Sequence, residues 1–278
     1  SATPTIGPTE APSVTPTIGP TEAPSVTPTI GPTEAPSPTP TPAPWGFAQK
    51  ISAPDPSTRG WFGQSVAIFG NNLVVGERFG LNGDNVQAGV ANIYTTMDGG
   101  ATWSFVQELT APDGSSQDQF GFSVALSENN VVVGARSDDN DNGIQSGSAY
   151  VYHTTDGGAT WNFTQKLQAP DGAADDRFGS SVAISENNVF VGTPDDDDGA
   201  SSSGSVYVYR TDGGATWNFT ENLVSPDIPS GNEIFGWSVA TFGNILVVGE
   251  LLGDGFSVQS GTAHIFDTTD GGATWDFV

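Results

Sequence analysis

The 278-residue chain contains no cysteine, one methionine and two histidines. A disulfide framework, a thiol nucleophile and a cysteine-bound zinc are all excluded. Lysine and arginine number 7 against 32 aspartates and glutamates, a net charge of −25. Phosphate backbones need a basic surface, so this balance argues against nucleic acid as a partner, and against anionic membranes. It suits cations, basic partners or solubility in salt. No apolar run approaches the roughly 18 residues of a membrane span, and no window shows helical periodicity with caps.

Repetition is what the chain has instead. The string TTDGGATWNF ends at Phe163, and near copies end at Phe105, Phe219 and Phe277, at spacings of 58, 56 and 58. A fixed period of this length signals a repeat architecture. Each unit also carries FGxSVA (Phe62, Phe120, Phe178 and Phe235 onward), an apolar run closing on Gly76, Gly134, Gly192 or Gly249, and a glycine-led string from Gly89, Gly147, Gly204 or Gly261. Residues 1–44 are different: a Pro/Thr-rich 12-residue unit three times over, then SPTPTPAP. Proline at this density gives an extended linker or stalk, disordered and open to O-glycosylation. The start at Ser1 and the stop at Val278, inside a repeated strand, suggest a piece of a longer precursor.

Alternation and turn residues divide each unit into four strands. Strand A is FGxSVAI, and a short turn such as Ser127–Asn130 leads to strand B, VVVGA. A polar loop leads to strand C, GSAYVYHT, and the DGGAT turn to strand D, WNFTQKL. Four up-and-down strands, repeated, predict an all-β fold, a β-propeller of four-stranded antiparallel blades. The bladed domain is expected over 45–278, with blades near 47–104, 105–162, 163–218 and 219–278. The strand at Trp45–Ser52 could complete the last blade and close a four-bladed ring, or the four blades belong to a seven-bladed one.

The FGxSVA, VVVGA and GSAYVY strings, in four copies over 45–278, resemble the FG-GAP repeat of integrin-α-type propellers. The resemblance implies a seven-bladed propeller when complete, extracellular or on the cell surface, serving adhesion or recognition. Integrin-type blades often carry a DxDxDG-like calcium loop between strands A and B. Here that place holds IFGNN, LSENN, ISENN and TFGNI, so that site does not carry over. The C–D turns resemble the Asp-box of sialidase-like propellers, S/T-x-D-x-G-x-T-W. The matching residues are Asp98 and Trp103, Asp156 and Trp161, and Asp270 and Trp275. In the copy at Asp212 and Trp217 one threonine is missing, and Arg210 stands two places before Asp212. The resemblance implies a fold device: an aspartate that accepts from its own turn, glycine for positive φ, and an anchoring indole.

Chemistry has few candidates. Arg78 and Arg136 occupy equivalent places after strand B, as do Glu77 and Glu250. Paired carboxylates could serve glycoside hydrolysis, which makes a secreted, sialidase-like hydrolase the alternative to a recognition module. His153 and His264 have no nucleophile partner in sequence and read as solvent-exposed strand residues. A purely structural spacer in a wall or matrix is a third reading.

An A-B-C-D meander sends the D–A and B–C loops to one face, where sequence and acidity vary. Variable loops on a rigid scaffold are where recognition usually sits. Asp138, Asp139 and Asp141, and Asp195, Asp196, Asp197 and Asp198, supply the oxygens that Ca²⁺ favours, so calcium is the cofactor expected there. Asn162 and Asn218 begin N-glycosylation acceptor triplets. The expected function is a non-enzymatic extracellular module that presents these loops to a protein or glycan ligand.

Overall fold

A computed structural model describes residues 48–55, 60–82, 86–197, 201–213, 216–227, 232–253 and 260–278. The stalk 1–44, Trp45, Arg59 and Asp198 lie outside the described residues. Among the described residues there is no helix; sixteen strands form four antiparallel meanders. The first sheet holds β1 (Phe62–Phe69), β2 (Asn72–Glu77), β3 (Val90–Thr95) and β4 (Ser104–Leu109). The second holds β5 (Phe120–Ser127), β6 (Asn130–Ala135), β7 (Ser148–His153) and β8 (Asn162–Leu167). The third holds β9 (Ser181–Ser185), β10 (Asn188–Thr193), β11 (Ser205–Arg210) and β12 (Asn218–Val224). The fourth holds β13 (Phe235–Phe242), β14 (Ile245–Glu250), β15 (Thr262–Asp267) and β16 (Asp276–Phe277). Each sheet thus runs from strand A to strand D. The bounds 105–162, 163–218 and 219–278 each begin on the outer strand of the preceding sheet: β4, β8 and β12.

Strands β1, β5, β9 and β13 are successive neighbours, so strand A lines the inside of the stack. The cores lie between sheets. Val74, Ile93 and Leu109 of the first sheet pack with Phe120, Val131, Val133, Tyr150 and Trp161 of the second. The pattern repeats around Trp217 and Trp275. Both faces of the two middle sheets are covered, so β6 and β10 are buried almost throughout. The outer sheets behave differently. Val66 and Ile68 on β1 are 64 % and 62 % exposed, whereas their counterparts Val124 and Leu126 are buried against the preceding sheet. At the other end Trp237, Phe242 and Ile265 are exposed. The first and last described sheets therefore each leave an apolar face exposed.

Two glycines per unit set how closely sheets approach. A Cβ at Gly134 would stand 2.1 Å from Gly179 O, and one at Gly121, where φ is +84°, 2.3 Å from Val90 O. Strand A bulges there, between Phe120 and Ser123. The bulge turns the Ser123 hydroxyl to donate to Gly179 O of the next sheet at 2.8 Å. Ser65 and Ser181 repeat the bond to Gly121 O and Gly236 O. A second tie joins outer strands. Gln107 Nε2 donates to Trp161 O and its Oε1 accepts from Trp161 N, both at 2.8 Å. Gln165 does the same for Trp217. Gln49 does it for Trp103, so the segment before β1 lies against the first sheet as an outer strand of a preceding blade would. Residues 48–53 belong to no sheet, and the last sheet carries its own outer strand β16. The expected completion of the last blade by this segment is not seen among the described residues.

Candidate functional site

The C–D turns are tied almost identically in three blades. Asp156 accepts from Thr154 Oγ1 at 2.7 Å, Thr160 Oγ1 at 2.6 Å and Thr160 N at 2.9 Å. Gly158 N donates to Thr154 Oγ1 at 3.0 Å. Asp98 and Asp270 hold the same bonds to Thr96 and Thr102, and to Thr268 and Thr274. Hydrogen bonds to the charged form favour ionisation. The Thr102 side chain, then its backbone N–H, hold Asp98 down to about 2. Asp156 is held well below the usual carboxylate range by the Thr160 hydroxyl, and Asp270 by the Thr274 backbone. These carboxylates are too acidic to move protons near neutral pH. The indoles of Trp161, Trp217 and Trp275 are 2–4 % exposed in the seams, while Trp103 is half-buried. In the irregular copy, Thr211 N donates to Asn187 O as Thr154 N does to Asn129 O. Thr211 therefore fills the threonine place, and the missing residue falls between it and Asp212. The copied string builds the scaffold.

The four A–B turns line a cleft of about 580 Å³ that includes Phe69, Glu128, His153, Glu186 and Phe242. Glu128 and Glu186 are exposed, and His153 Nδ1 pairs with Asn130 at 2.9 Å.

On the D–A and B–C face, each blade buries a carboxylate beside one strand-C side chain. In the second blade Asp138, 2 % exposed, accepts from Ser148 Oγ at 2.6 Å and pairs with Lys166 at 2.9 Å. Lys166 also reaches Asp113 at 2.6 Å, and the Tyr150 hydroxyl donates to Asp113 at 2.8 Å. In the third blade the Tyr207 hydroxyl bridges Asp171 and Asp196 at 2.9 and 3.1 Å. In the first, Asn92 Nδ2 donates to Glu77 at 3.4 Å, and Glu77 lines a small cleft with Asp55 and Glu108. Burial, then the nearby Glu77 and Asp55 charges, raise the Glu108 carboxyl. In the fourth, Glu250 pairs with His264 Nε2 and accepts from Thr262 Oγ1, both at 2.6 Å.

The aspartates expected to hold calcium face different partners. Asp139 accepts from Gln145 N, Asp141 is exposed, Asp195 pairs with Arg177 at 3.0 Å, and Asp197 accepts from Ser202 N. Among the described residues, the group of three acidic or imidazole side chains with ligand atoms within 4.8 Å of one another is Asp227, Glu250 and His264. The sequence presents Glu250 and His264 separately, with His264 expected on an exposed strand face; instead it is buried at 5 % exposure beside Glu250. Their pairing follows from β14 and β15 being neighbours, with Glu250 opposite Thr262.

Glu77 and Glu250 belong to separate clusters, in the first and fourth blades. Burial, with nearby carboxylates, pushes Tyr94 up to about 12 and Tyr150, Tyr152, Tyr207 and Tyr209 higher, the wrong direction for a phenolate nucleophile. The arginines gather beside strand A. Arg78 stacks over exposed Trp61 at 4.1 Å and lies 5.5 Å from the Phe122 ring, which Arg136 covers at 4.1 Å. Burial lowers both guanidinium pKa values; for Arg136 the neighbouring Arg177 and Arg78 charges add to it. Arg78 Nε is buried without a hydrogen-bond partner among the described residues. The signal in the sequence was the equivalence of Arg78 and Arg136; the stacking partners Trp61 and Phe122 were missed. Asn162 and Asn218 are both exposed on their outer strands.

No curated protein matches the chain. Among solved structures, Sqt1 of Saccharomyces cerevisiae is similar at 14 % identity and a TM-score of 0.44, covering 79 % of this chain and 48 % of that one. The chain thus spans about half the length of that structure. The FG-GAP repeat matches four times, at residues 45–94, 103–152, 161–209 and 217–266. With its propeller-type blades and four such matches across most of the bladed unit, the chain belongs to the FG-GAP repeat family.

Proposed function

We propose that the chain is a non-enzymatic, extracellular or cell-surface recognition module that binds its partner on the D–A and B–C loop face. One observation carries this reading: the row Trp61, Arg78, Phe122 and Arg136 offers stacked guanidinium and aromatic surfaces on an otherwise acidic face. Aromatic faces and planar guanidinium groups suit a sugar ring and a carboxylate or sulfate. The net charge of −25 repels polyanions. The partner is therefore a glycan or protein segment that presents a short anionic group. FG-GAP propellers often serve adhesion or recognition, which agrees. Among the described residues no helix is long and apolar enough to cross a membrane.

The test is a panel of matrix proteins and sialylated, sulfated and neutral glycans, probed with the full chain. The double variant Trp61→Ala/Arg136→Ala is compared with Glu128→Gln/Glu186→Gln on the opposite face. Binding lost only in the first supports the reading. Binding lost only in the second, or cleavage of a bound glycan by the wild type, contradicts it.

A further inference from the structure

We propose that Asp227, Glu250 and His264 bind one divalent transition-metal ion, with Zn²⁺ as the best-fitting member of that class. Glu250 closes β14, His264 lies in β15, and Asp227 stands in the loop after β12. Glu250 and His264 are 2 % and 5 % exposed. His264 Nε2 is 2.6 Å from Glu250 Oε2 and 3.9 Å from Asp227 Oδ2. Thr262 Oγ1 lies 3.0 Å from the same imidazole nitrogen. An imidazole and two carboxylates are a donor set that Zn²⁺ accepts, at roughly 2.0–2.2 Å each. Tetrahedral ligands at that distance sit about 3.3 Å apart, so the His264–Glu250 contact opens by several tenths of an ångström and Asp227 closes by a similar amount.

A proton shared between His264 and Glu250 accounts for one carboxylate oxygen and leaves the rest of the cluster unexplained. Among the described residues, Glu250 Oε1 is buried without a hydrogen-bond partner. Leaving such an atom unsatisfied is costly; a cation held by the carboxylate offsets that cost. Asp227 adds a second negative charge facing the same nitrogen. Its side chain is 60 % exposed, which leaves the fourth position open to water.

The other blades act as internal controls. The place of His264 is Tyr150 in the second blade and Tyr207 in the third, and both bond to aspartates through a hydroxyl. In the second blade the positive charge between Asp113 and Asp138 is the Lys166 ammonium. The fourth blade exchanges the tyrosine for a metal-binding nitrogen. It also moves the buried carboxylate from the Asp138 place, here Gly253, to Glu250. A Cβ at Gly253 would stand 2.7 Å from both Glu250 Oε2 and Thr262 Oγ1, so the exchange needs glycine there. The first blade also has a glutamate and a glycine in these places, Glu77 and Gly80, but sets Asn92 where the fourth has His264, so among the four blades the fourth alone adds an imidazole to the buried carboxylate. This inference is independent of the recognition reading and of the stacked arginines.

The test is calorimetric titration of the EDTA-treated, dialysed full chain with ZnCl₂, in parallel with CaCl₂ and MgCl₂. One Zn²⁺ per chain, undisturbed by millimolar Mg²⁺, is expected. His264→Tyr, the residue used by two other blades, abolishes it, and Asp227→Asn weakens it at least tenfold. His153→Gln leaves it unchanged. Co²⁺ in place of Zn²⁺ gives the visible absorption of a tetrahedral site in the wild type and not in His264→Tyr. No saturable Zn²⁺ binding in the wild type overturns the proposal. So does undiminished affinity in Asp227→Asn, a loop variant whose side chain is 60 % exposed.

Discussion

Replacing Gly134 by alanine probes the contact on which the whole stack depends. The added Cβ meets Gly179 O at 2.1 Å and Ser123 Oγ at 2.3 Å, against a tolerable approach of at least 3.0 Å. The seam between the second and third sheets must open by roughly 1 Å, because one of the opposing atoms is backbone. Overpacking of this kind costs about 1–3 kcal/mol. Losing the Ser123–Gly179 hydrogen bond adds about 1 kcal/mol. A total near 3 kcal/mol lowers the melting temperature by about 6–12 °C for a unit of this size. Gly249→Ala makes the same chemical change in the last blade. Its Cβ meets only Ser238 Oγ at 2.4 Å, and Ser238 is an exposed, rotatable side chain with no further sheet described behind it. That variant is expected to cost under about 1 kcal/mol. Thermal melts of the full chain, followed by far-UV circular dichroism, compare the two. Equal losses would refute the argument that these glycines exist for sheet-to-sheet approach, leaving only a local strand effect.

Further outcomes follow from the ionisable groups. Burial, the leading cause, raises Asp118 to about 6. The folded state then holds more protons than the unfolded one between pH 4 and 6, so this group's contribution to stability falls as pH rises through that window. Asp118→Asn, whose amide oxygen can still accept from Ser115 N, is expected to melt higher than wild type at pH 8 and to lose that gain below pH 4. Asp98→Asn has the opposite sign. It lowers the melting temperature at pH 7, and the difference shrinks toward pH 2, where the wild-type carboxylate itself protonates. Lys166→Met leaves buried Asp138 without its cation and costs about 2–3 kcal/mol in urea unfolding, partly restored by adding Asp138→Asn. Expression through a secretory pathway adds glycan mass at exposed Asn162 and Asn218, removed by Asn→Gln at both.

Much of this fold was legible because the repeat displays the constraint four times. FGxSVA and VVVG mark the places where strand A bulges and where no Cβ fits, and TTDGGATW spells a turn whose bonds are local. Local bonds leave a local pattern. The seam ties did not show. Gln107 and Trp161 are 54 residues apart, and glutamine on an outer strand reads as solvated surface until the next sheet is placed beside it. The loop face shows the same limit of local sequence. Neighbouring aspartates such as Asp138 and Asp139 look like one ligand set in sequence, yet one turns inward to Lys166 and the other caps its own loop. The cluster that does converge draws Asp227, Glu250 and His264 from three segments, and each is unremarkable alone.

Recognition is proposed for the face of the D–A and B–C loops. Hydrogen–deuterium exchange of the full chain, with and without a saturating concentration of the best binder from the glycan and protein panel, tests it directly. Slowed exchange is expected in 60–62, 78–80 and 136–147, with no change in the A–B turns at 127–130 and 185–188. Protection confined to those turns would put the ligand in the cleft on the opposite face and contradict the claim.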